Sequence, residues 1–298
     1  MAPASSIPPL VDTAWLAARL GAPELRVVDG SWYLPGSGRE ARLEYERAHI
    51  PGAVFFDLDQ TSDRSTPLPH MLPTPAAFEE RMAVLGIGSE HQVVVYDGSG
   101  VNLSAPRVWW TFRAFGHRDV AVLDGGFGKW RREGRPVERG VVRLPRARFT
   151  ARLDPALVRD LEAVRANLER PAAQVVDARS PGRFAGTEPE PRPGLRGGHI
   201  PGSRNLPFDS LVREDGTVLA PAELRRRFEA AGVDLARPVI LSCGSGTSAC
   251  ALALGLELLG HRAYAVYDGS WAEWGGRSDT PVERGAPTGE TRPAPPSS

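Results

Sequence analysis

The sequence predicts an α/β protein built from two related halves, each a parallel β-sheet flanked by helices on both faces. Three observations lead to this fold class. Segments of the first half recur in the second, short apolar runs alternate with longer helical stretches, and Gly, Pro and Asp stand at the joins. Such alternation is typical of parallel sheets, because each crossover helix returns the chain to the same end of the sheet.

The internal repeat consists of five pairs of matching segments. They are RVVD and QVVD (26–29 and 174–177), HIPGA and HIPGS (49–53 and 199–203), VVVYDGSG and VILSCGSG (93–100 and 239–246), GHR twice (116–118 and 260–262), and VLDGGF and VYDGSW (122–127 and 266–271). The pairs keep one order, and their spacing stays between 144 and 150 residues. The chain is therefore interpreted as a tandem duplication of one domain.

The elements of both halves follow from local patterns. Runs that are apolar throughout predict buried strands, at 27–28, 93–95, 175–176 and 239–241. Helices are predicted over 13–20, 75–85, 162–168, 221–231 and 248–259. The domain limits predicted from these patterns are 1–140 for a first, non-catalytic domain, 141–156 for a linker, 157–284 for a second, catalytic domain, and 285–298 for a disordered tail rich in Pro, Gly and Ser.

Composition narrows the class of protein. The 298 residues are 41% hydrophobic and 24% charged, with a formal net charge of zero, which gives no support for binding nucleic acid. No apolar run approaches the roughly 20 residues of a membrane span, and residues 1–10 lack the pattern of a secretory signal. We expect a cytoplasmic protein without a membrane partner. Two cysteines seven residues apart exclude a disulfide framework and a cysteine-rich metal site, and no metal or cofactor is expected.

Cys243 stands at the end of a predicted strand, in a loop that opens a helix. The loop continues as Gly244, Ser245, Gly246, Thr247 and Ser248. Open α/β sheets bind ligands at this edge, and successive N–H groups of such a loop can cradle an anion at the helix N-terminus. Both effects favour a thiolate. A thiol with a lower pKa forms more thiolate, but that thiolate is a weaker nucleophile, so ionisation alone raises the reactivity only a little. We therefore expect the loop to stabilise a further anion besides the thiolate.

Several other residues are interpreted as structural. His49 and His199 could be catalytic, but they recur in both halves while only one half has the cysteine at this loop, so we favour a histidine that ties down a Pro-Gly turn. Cys250 falls among Ala and Leu in a helix. Asp97 takes the place of Cys243 in the first half and cannot carry sulfur as a thiolate does. The tryptophans expected in the core or at a domain interface are Trp109, Trp110, Trp130, Trp271 and Trp274.

These motifs resemble the rhodanese superfamily, in its tandem form with the active cysteine in the second domain. The HIPG turn, the segment YDGSWAEW (267–274) and the six-residue cysteine loop carry the resemblance, which covers residues 10–283. Members that prefer thiosulfate carry basic residues after the cysteine. Here the loop CGSG, with the segments at 57–73 and 182–192, is similar to the 3-mercaptopyruvate sulfurtransferases. The loop departs from that subfamily, which commonly has Val-Thr, at Thr247 and Ser248.

The resemblance implies a sulfur transfer through a persulfide on Cys243, from 3-mercaptopyruvate to cyanide or to a thiol such as thioredoxin. It implies that Arg183 and Arg192 bind the substrate carboxylate and keto group, since a guanidinium fork suits a planar carboxylate. The loop residues Gly244, Gly246, Thr247 and Ser248 would complete the substrate site. Ser245, His70 and Asp59 resemble the family's proton relay. His70 lies in the first half, so the site would form between the two domains.

Three alternatives remain open at the level of sequence. The same cysteine could take sulfur from thiosulfate. A phosphatase is disfavoured, because phosphate-binding loops of that type need an Arg six positions after the cysteine and residue 249 is Ala. A sulfur-sensing or binding module without catalysis would also keep the loop.

Overall fold

The computed structural model describes residues 6–285 and contains two five-stranded sheets. All strand pairs in both sheets are parallel. The first sheet has the order β1-β5-β4-β2-β3 and the second the order β6-β10-β9-β7-β8, so the two sheets have the same topology. The predicted fold class and the tandem duplication are confirmed.

The first half alternates strands and helices. Its elements are β1 (Leu10–Val11), α1 (Thr13–Ala17), β2 (Leu25–Asp29), α2 (Ala41–Arg47), β3 (Val54–Phe55), α3 (Leu58–Thr61), α4 (Pro75–Val84), β4 (Gln92–Tyr96), α5 (Ala105–Ala114), β5 (Val120–Leu123) and α6 (Gly126–Arg132). Helix starts follow local chemistry. The Asp12 carboxylate accepts the N–H of Trp15 at 2.6 Å, and Pro75 occupies the first turn of α4 after Thr74.

The second half repeats the pattern. Its elements are β6 (Val158–Arg159), α7 (Leu161–Glu169), β7 (Gln174–Asp177), α8 (Pro181–Ala185), β8 (Arg204–Asn205), α9 (Pro221–Ala230), β9 (Val239–Ser242), α10 (Ala249–Leu258), β10 (Tyr264–Tyr267) and α11 (Ser270–Trp274), with short 3-10 turns at Pro155–Leu157 and Phe208–Leu211. The predicted strands and helices are present, with ends shifted by at most three residues. Helix α1 ends earlier than predicted, at Ala17 instead of residue 20.

Alternate residues of each central strand enter different cores. Val93 and Val95 of β4 pack into a core that also includes Leu241 of β9, while Val94 faces a separate core on the outer side of the first sheet. Ile240 of β9 faces the corresponding outer core of the second sheet. The strands are therefore apolar on both faces, as covered parallel strands must be. The shared core places α5 and α10 against each other between the sheets.

The segment between the halves does not run free. Residues 141–154 contain no helix or strand, yet Phe149 is buried against Phe78 and Phe112 of the first half. The predicted domain limits of 1–140, 141–156 and 157–284 stay a prediction. The predicted tail lies, beyond Gly285, outside the described residues. Among residues 6–285, no helix is long and apolar enough to cross a bilayer.

Candidate active site

Cys243 directly follows β9, the central strand of the second sheet, and α10 begins six residues later at Ala249. Its side chain is buried, with 1% of the residue exposed. The carbonyl of Cys243 accepts the N–H of Trp271 at 2.9 Å, and the carbonyl of Gly244 accepts that of Ala272 at 2.8 Å. Helix α11 therefore binds the loop carbonyls, which leaves the N–H groups of the loop for another acceptor.

The N–H groups of residues 244–249 have no acceptor within residues 6–285. The corresponding loop of the first half shows what such a loop can hold. There the Asp97 carboxylate accepts N–H groups of Ser99 (2.8 Å), Ser104 (2.9 Å) and Ala105 (2.8 Å). The first loop thus contains its own anion, and the second offers the same kind of site beside a thiol.

Gly246 is required by the shape of the cysteine loop. Its φ is +73°, in the left-handed region that favours glycine. A side chain there would also lie 2.8 Å from Nη1 of Arg107 and 2.9 Å from the carbonyl oxygen of Asp268. Only glycine fits this position without displacing both neighbours.

His70 reaches the loop from the first half. Its Nδ1 lies 2.9 Å from Oγ of Ser245 and 2.9 Å from Oγ1 of Thr247, and its Nε2 lies 3.2 Å from Oδ1 of Asp59. His70 is 3% exposed, and its ring packs edge-on against Trp32. The predicted association of His70, Asp59 and Ser245 is present, and Thr247 joins it.

The electrostatics of this cluster follow from its burial. Desolvation lowers the pKa of His70, and the hydrogen bond from His70 lowers the pKa of Asp59. The Asp59 side chain is 65% exposed, whereas Ser245 and Thr247 are buried. The cluster therefore connects the interior of the site to a carboxylate in contact with solvent.

A buried ion pair between the halves fixes the position of His70. Nη2 of Arg107, on α5, lies 2.7 Å from Oδ1 of Asp268, which follows β10. Arg107 also donates hydrogen bonds to the carbonyls of His70 and Gly246, and Asp268 accepts the N–H of Leu72 at 2.7 Å. His70 has a φ of +62°, and these contacts hold it there.

The sequence prediction missed this pair. Arg107 stands in the apolar run of α5 and Asp268 lies in a repeated segment, and these were the only signals available. An arginine with 1% of its side chain exposed needs a buried acid, but the sequence does not tell which acid faces it.

The two predicted substrate arginines differ in their partners. Nη2 of Arg183 lies 2.6 Å from Oε2 of Glu190, and a methyl group at Gly244 would lie 2.8 Å from the same nitrogen. Arg183 is therefore held directly over the cysteine loop. Arg192 is half-buried and forms no ion pair or hydrogen bond within the described chain. Burial lowers the pKa of Arg192, while Cys243 and Asp59 act in the opposite direction.

Glu190 is a further residue that sequence reasoning did not identify. It is buried and accepts from both Arg183 and Arg179, the latter at 2.8 Å. Arg179 in turn pairs with Asp177 at 2.6 Å and lies over the ring of Trp271 at 4.4 Å. Glu190 thereby orients Arg183. It lies in the segment 182–192 that carried the resemblance, but its burial was not visible in the sequence.

The residues interpreted as structural have structural contacts. His49 Nδ1 lies 2.8 Å from the carbonyl oxygen of Tyr45, and the His49 ring stacks on the Tyr45 ring. His199 Nδ1 lies 2.8 Å from the carbonyl oxygen of Phe184, and the His199 ring stacks on the Phe184 ring. Cys250 is buried in α10, its Sγ donates to the carbonyl of Gly246, and burial raises the pKa of this thiol. The five tryptophans predicted for the core are fully buried.

The fold and the site define a two-domain α/β protein with one thiol at an anion-binding loop. Comparison with known proteins gives the family. The rhodanese-like domain family matches residues 12–133 and 160–277. The chain belongs to the rhodanese-like family and is a sulfur-transferring enzyme.

Two kinds of sulfurtransferase, named for 3-mercaptopyruvate and for thiosulfate, are similar in sequence to this chain. Human 3-mercaptopyruvate sulfurtransferase is 49% identical over 270 residues, covering 89% of this chain and 91% of that protein. Thiosulfate sulfurtransferase of Bos taurus is 49% identical over 271 residues, with the same coverage. The crystal structure of SseA from Escherichia coli, described as a 3-mercaptopyruvate sulfotransferase, has a TM-score of 0.82 at 40% identity and covers 89% of this chain and 99% of that one. Overall identity therefore does not separate the two donors.

Proposed function

We propose that the chain transfers sulfur from 3-mercaptopyruvate to a thiol or cyanide acceptor through a persulfide on Cys243. The observation that carries this proposal is the position of Ser245. It shares the cysteine loop, and its hydroxyl contacts a buried imidazole whose other nitrogen faces a carboxylate. A donor that leaves as an enolate needs a proton at carbon, and such a relay can supply it.

The substrate carboxylate and keto group bind Arg183 and Arg192. Arg183 is already oriented over Gly244 by Glu190, and Arg192 has no acid of its own among the described residues. Two guanidinium groups match a planar 2-keto acid through paired hydrogen bonds. Binding there brings the sulfur of the donor toward Cys243.

The reaction balances without an added oxidant or reductant. The Cys243 thiolate attacks the sulfur of the donor, an S–S bond forms, the C–S bond breaks, and its electron pair becomes the pyruvate enolate. The enolate carbon takes a proton from Ser245, which regains one that originates from the terminal S–H of the persulfide. The products are pyruvate and Cys243–S–S⁻.

The loop stabilises the persulfide anion. The N–H groups of residues 244–249, which have no acceptor within residues 6–285, and the N-terminus of α10 are available to bind the added sulfur, as the first loop binds the Asp97 carboxylate. In the second half-reaction a thiolate, such as that of thioredoxin, attacks the outer sulfur and regenerates the Cys243 thiolate.

Thiosulfate is the second candidate donor, and the 49% identity to a thiosulfate sulfurtransferase favours keeping it. Gly244 and Ser245 place no cation directly after the cysteine, and sulfite leaves without needing a proton at carbon. The relay through His70 would then have no part in the first step.

The cytoplasm stays the predicted location of the protein.

The test is mass spectrometry of the full chain after incubation with 3-mercaptopyruvate and no acceptor. We expect the mass to rise by one sulfur atom in the wild type and in Cys250→Ser, and not in Cys243→Ser. Absence of the adduct from the wild type contradicts the proposal. Initial rates with both donors decide between them, since faster reaction with thiosulfate favours the alternative. A Cys243 that resists both donors and iodoacetamide favours a binding module.

A further inference from the structure

Two hydroxyl groups compete for one nitrogen of His70. Oγ of Ser245 and Oγ1 of Thr247 each lie 2.9 Å from Nδ1 and are 3.5 Å from one another. Neither hydroxyl has another hydrogen-bond partner within the described chain. Ser245, His70 and Asp59 form the relay described above, and Thr247 has no part in that relay.

The position of the proton on the His70 ring determines whether the Ser245 and Thr247 hydroxyls donate to Nδ1 or accept from it. The Asp59 carboxylate only accepts, so the proton of the neutral ring sits on Nε2, and Nδ1 offers one lone pair. Burial favours this neutral ring. The charged groups that face His70 are Asp59 on α3, Arg107 on α5 with its partner Asp268, and Arg192 in the loop after α8. A single lone pair accepts one hydroxyl proton well, so the other hydroxyl is free to donate elsewhere.

We infer that Thr247 is a positioning residue that donates to Nδ1 of His70 and so frees the Ser245 hydroxyl to donate to the reacting sulfur and enolate. This inference rests on the proposed function. Without Thr247, Nδ1 would keep the Ser245 proton, and Ser245 would have to break that hydrogen bond before each proton transfer. With Thr247 present, the lone pair stays occupied while Ser245 turns, so no buried acceptor is left unpaired.

Thr247→Val removes the competing hydroxyl and keeps the shape of the side chain. We expect kcat for pyruvate release to fall about two- to tenfold, the rate equivalent of one neutral hydrogen bond, with KM for the donor little changed. In the enzyme without donor, Ser245 then donates to Nδ1 in place of Thr247, so the neutral ring keeps one hydrogen-bond donor and the pKa of His70 should stay close to that of the wild type. While Ser245 donates to the reacting sulfur or enolate, Nδ1 of the variant has no hydrogen-bond donor and the pKa of His70 rises in that complex, so the acidic limb of the kcat profile moves to higher pH.

The experiment combines that pH profile with NMR titration of His70 in the full chain without donor, the His70 signal being assigned by its loss in His70→Gln. Thr247→Ser keeps the hydroxyl and should keep the wild-type kcat and its pH profile. Thr13→Val, which removes a buried hydroxyl bonded to Glu133, controls for the loss of any buried threonine hydroxyl and should leave kcat and its pH profile unchanged. An unchanged kcat and an unmoved acidic limb of its pH profile in folded Thr247→Val overturn the inference.

Ser245→Ala keeps the inference testable if Thr247→Val does not fold. Thr247 then remains as donor to Nδ1, so the titration of His70 should stay close to that of the wild type, although kcat falls. A clear rise in the pKa of His70 in Ser245→Ala would show that Thr247 does not donate. Because the titration uses no sulfur donor, its outcome is independent of whether 3-mercaptopyruvate is the substrate.

Discussion

Among single residues, Gly246 shows how little freedom the cysteine loop has. Its positive φ and the close approach of Arg107 and the Asp268 carbonyl act together. The first requirement is a backbone preference, and the second is a lack of space. Gly260 has nearly the same φ, +74°, but nothing lies within 4 Å of the position of a side chain there. A comparison of Gly260 with Gly246 therefore separates the cost of the backbone conformation from the cost of steric contact with neighbouring atoms.

Replacement of each glycine by alanine tests this separation. Gly260→Ala should lower the free energy of unfolding by about 1 kcal/mol and leave persulfide formation unchanged. Gly246→Ala should cost more stability and slow persulfide formation at least about tenfold, because Arg107 and the loop must shift. Urea unfolding and stopped-flow reaction with the donor measure the two effects. Equal behaviour of the two variants would show that crowding at Gly246 has no consequence.

At the scale of elements, the two strand-to-helix loops occupy equivalent places in the two sheets but begin with different residues, Asp97 in the first and Cys243 in the second. The spacing of the repeats shortens by two residues across them, since the first loop runs from Asp97 to Ala105 and the second from Cys243 to Ala249. The longer loop folds its N–H groups around the Asp97 carboxylate. The N–H groups of the shorter loop have no acceptor within residues 6–285 and can bind an anion beside Cys243.

Asp97→Ala should therefore destabilise the protein although it lies outside the active site. Three N–H groups would lose their acceptor, which we expect to cost about 1–3 kcal/mol of unfolding free energy. Sulfate should recover part of this loss by occupying the emptied loop, and Cys243→Ala should cost less. Urea unfolding with and without sulfate measures both. If Asp97→Ala is as stable as the wild type, the carboxylate does not organise the first loop.

At the scale of the whole molecule, the halves contact each other reciprocally. Asp268 of the second half accepts the N–H of Leu72 in the first, and its repeat partner Asp124 accepts the N–H of Val218 in the second at 2.8 Å. Arg107 adds a buried ion pair on the side of the cysteine loop only. The two backbone contacts between the domains are thus symmetric, and the Arg107–Asp268 pair adds a charged contact at the site.

Removal of this arginine should affect both stability and catalysis. Arg107→Met leaves Asp268 buried without its cation, and we expect a loss of about 3–5 kcal/mol of unfolding free energy with a large fall in kcat, since His70 is no longer held. Arg146→Met, which breaks the exposed pair with Glu80, is the control and should cost no more than about 1 kcal/mol. Comparable losses in the two variants would contradict a role for the buried pair.

Local patterns predicted the fold well, because strand and helix periodicity and the repeat depend on short segments. The cysteine loop was predictable for the same reason, since strand, glycines and helix are contiguous. Arg107, Asp268 and Glu190 were not, because their burial depends on how the halves and the segment 182–192 pack. The pairing of His70 with Ser245 came from resemblance alone, as their 175-residue separation leaves no local signal.

The loop that carries His70 and the contact of Arg107 across the domain boundary bear on how the duplication could evolve. Once these side chains served the cysteine of the other copy, the copy without a thiol could no longer be deleted. Fusion in one chain also keeps both groups at the effective concentration of a tethered partner, in the millimolar range or above, which separate chains would have to match by mass action. The first domain therefore stays necessary to the site, although its own loop carries Asp97 in place of a cysteine.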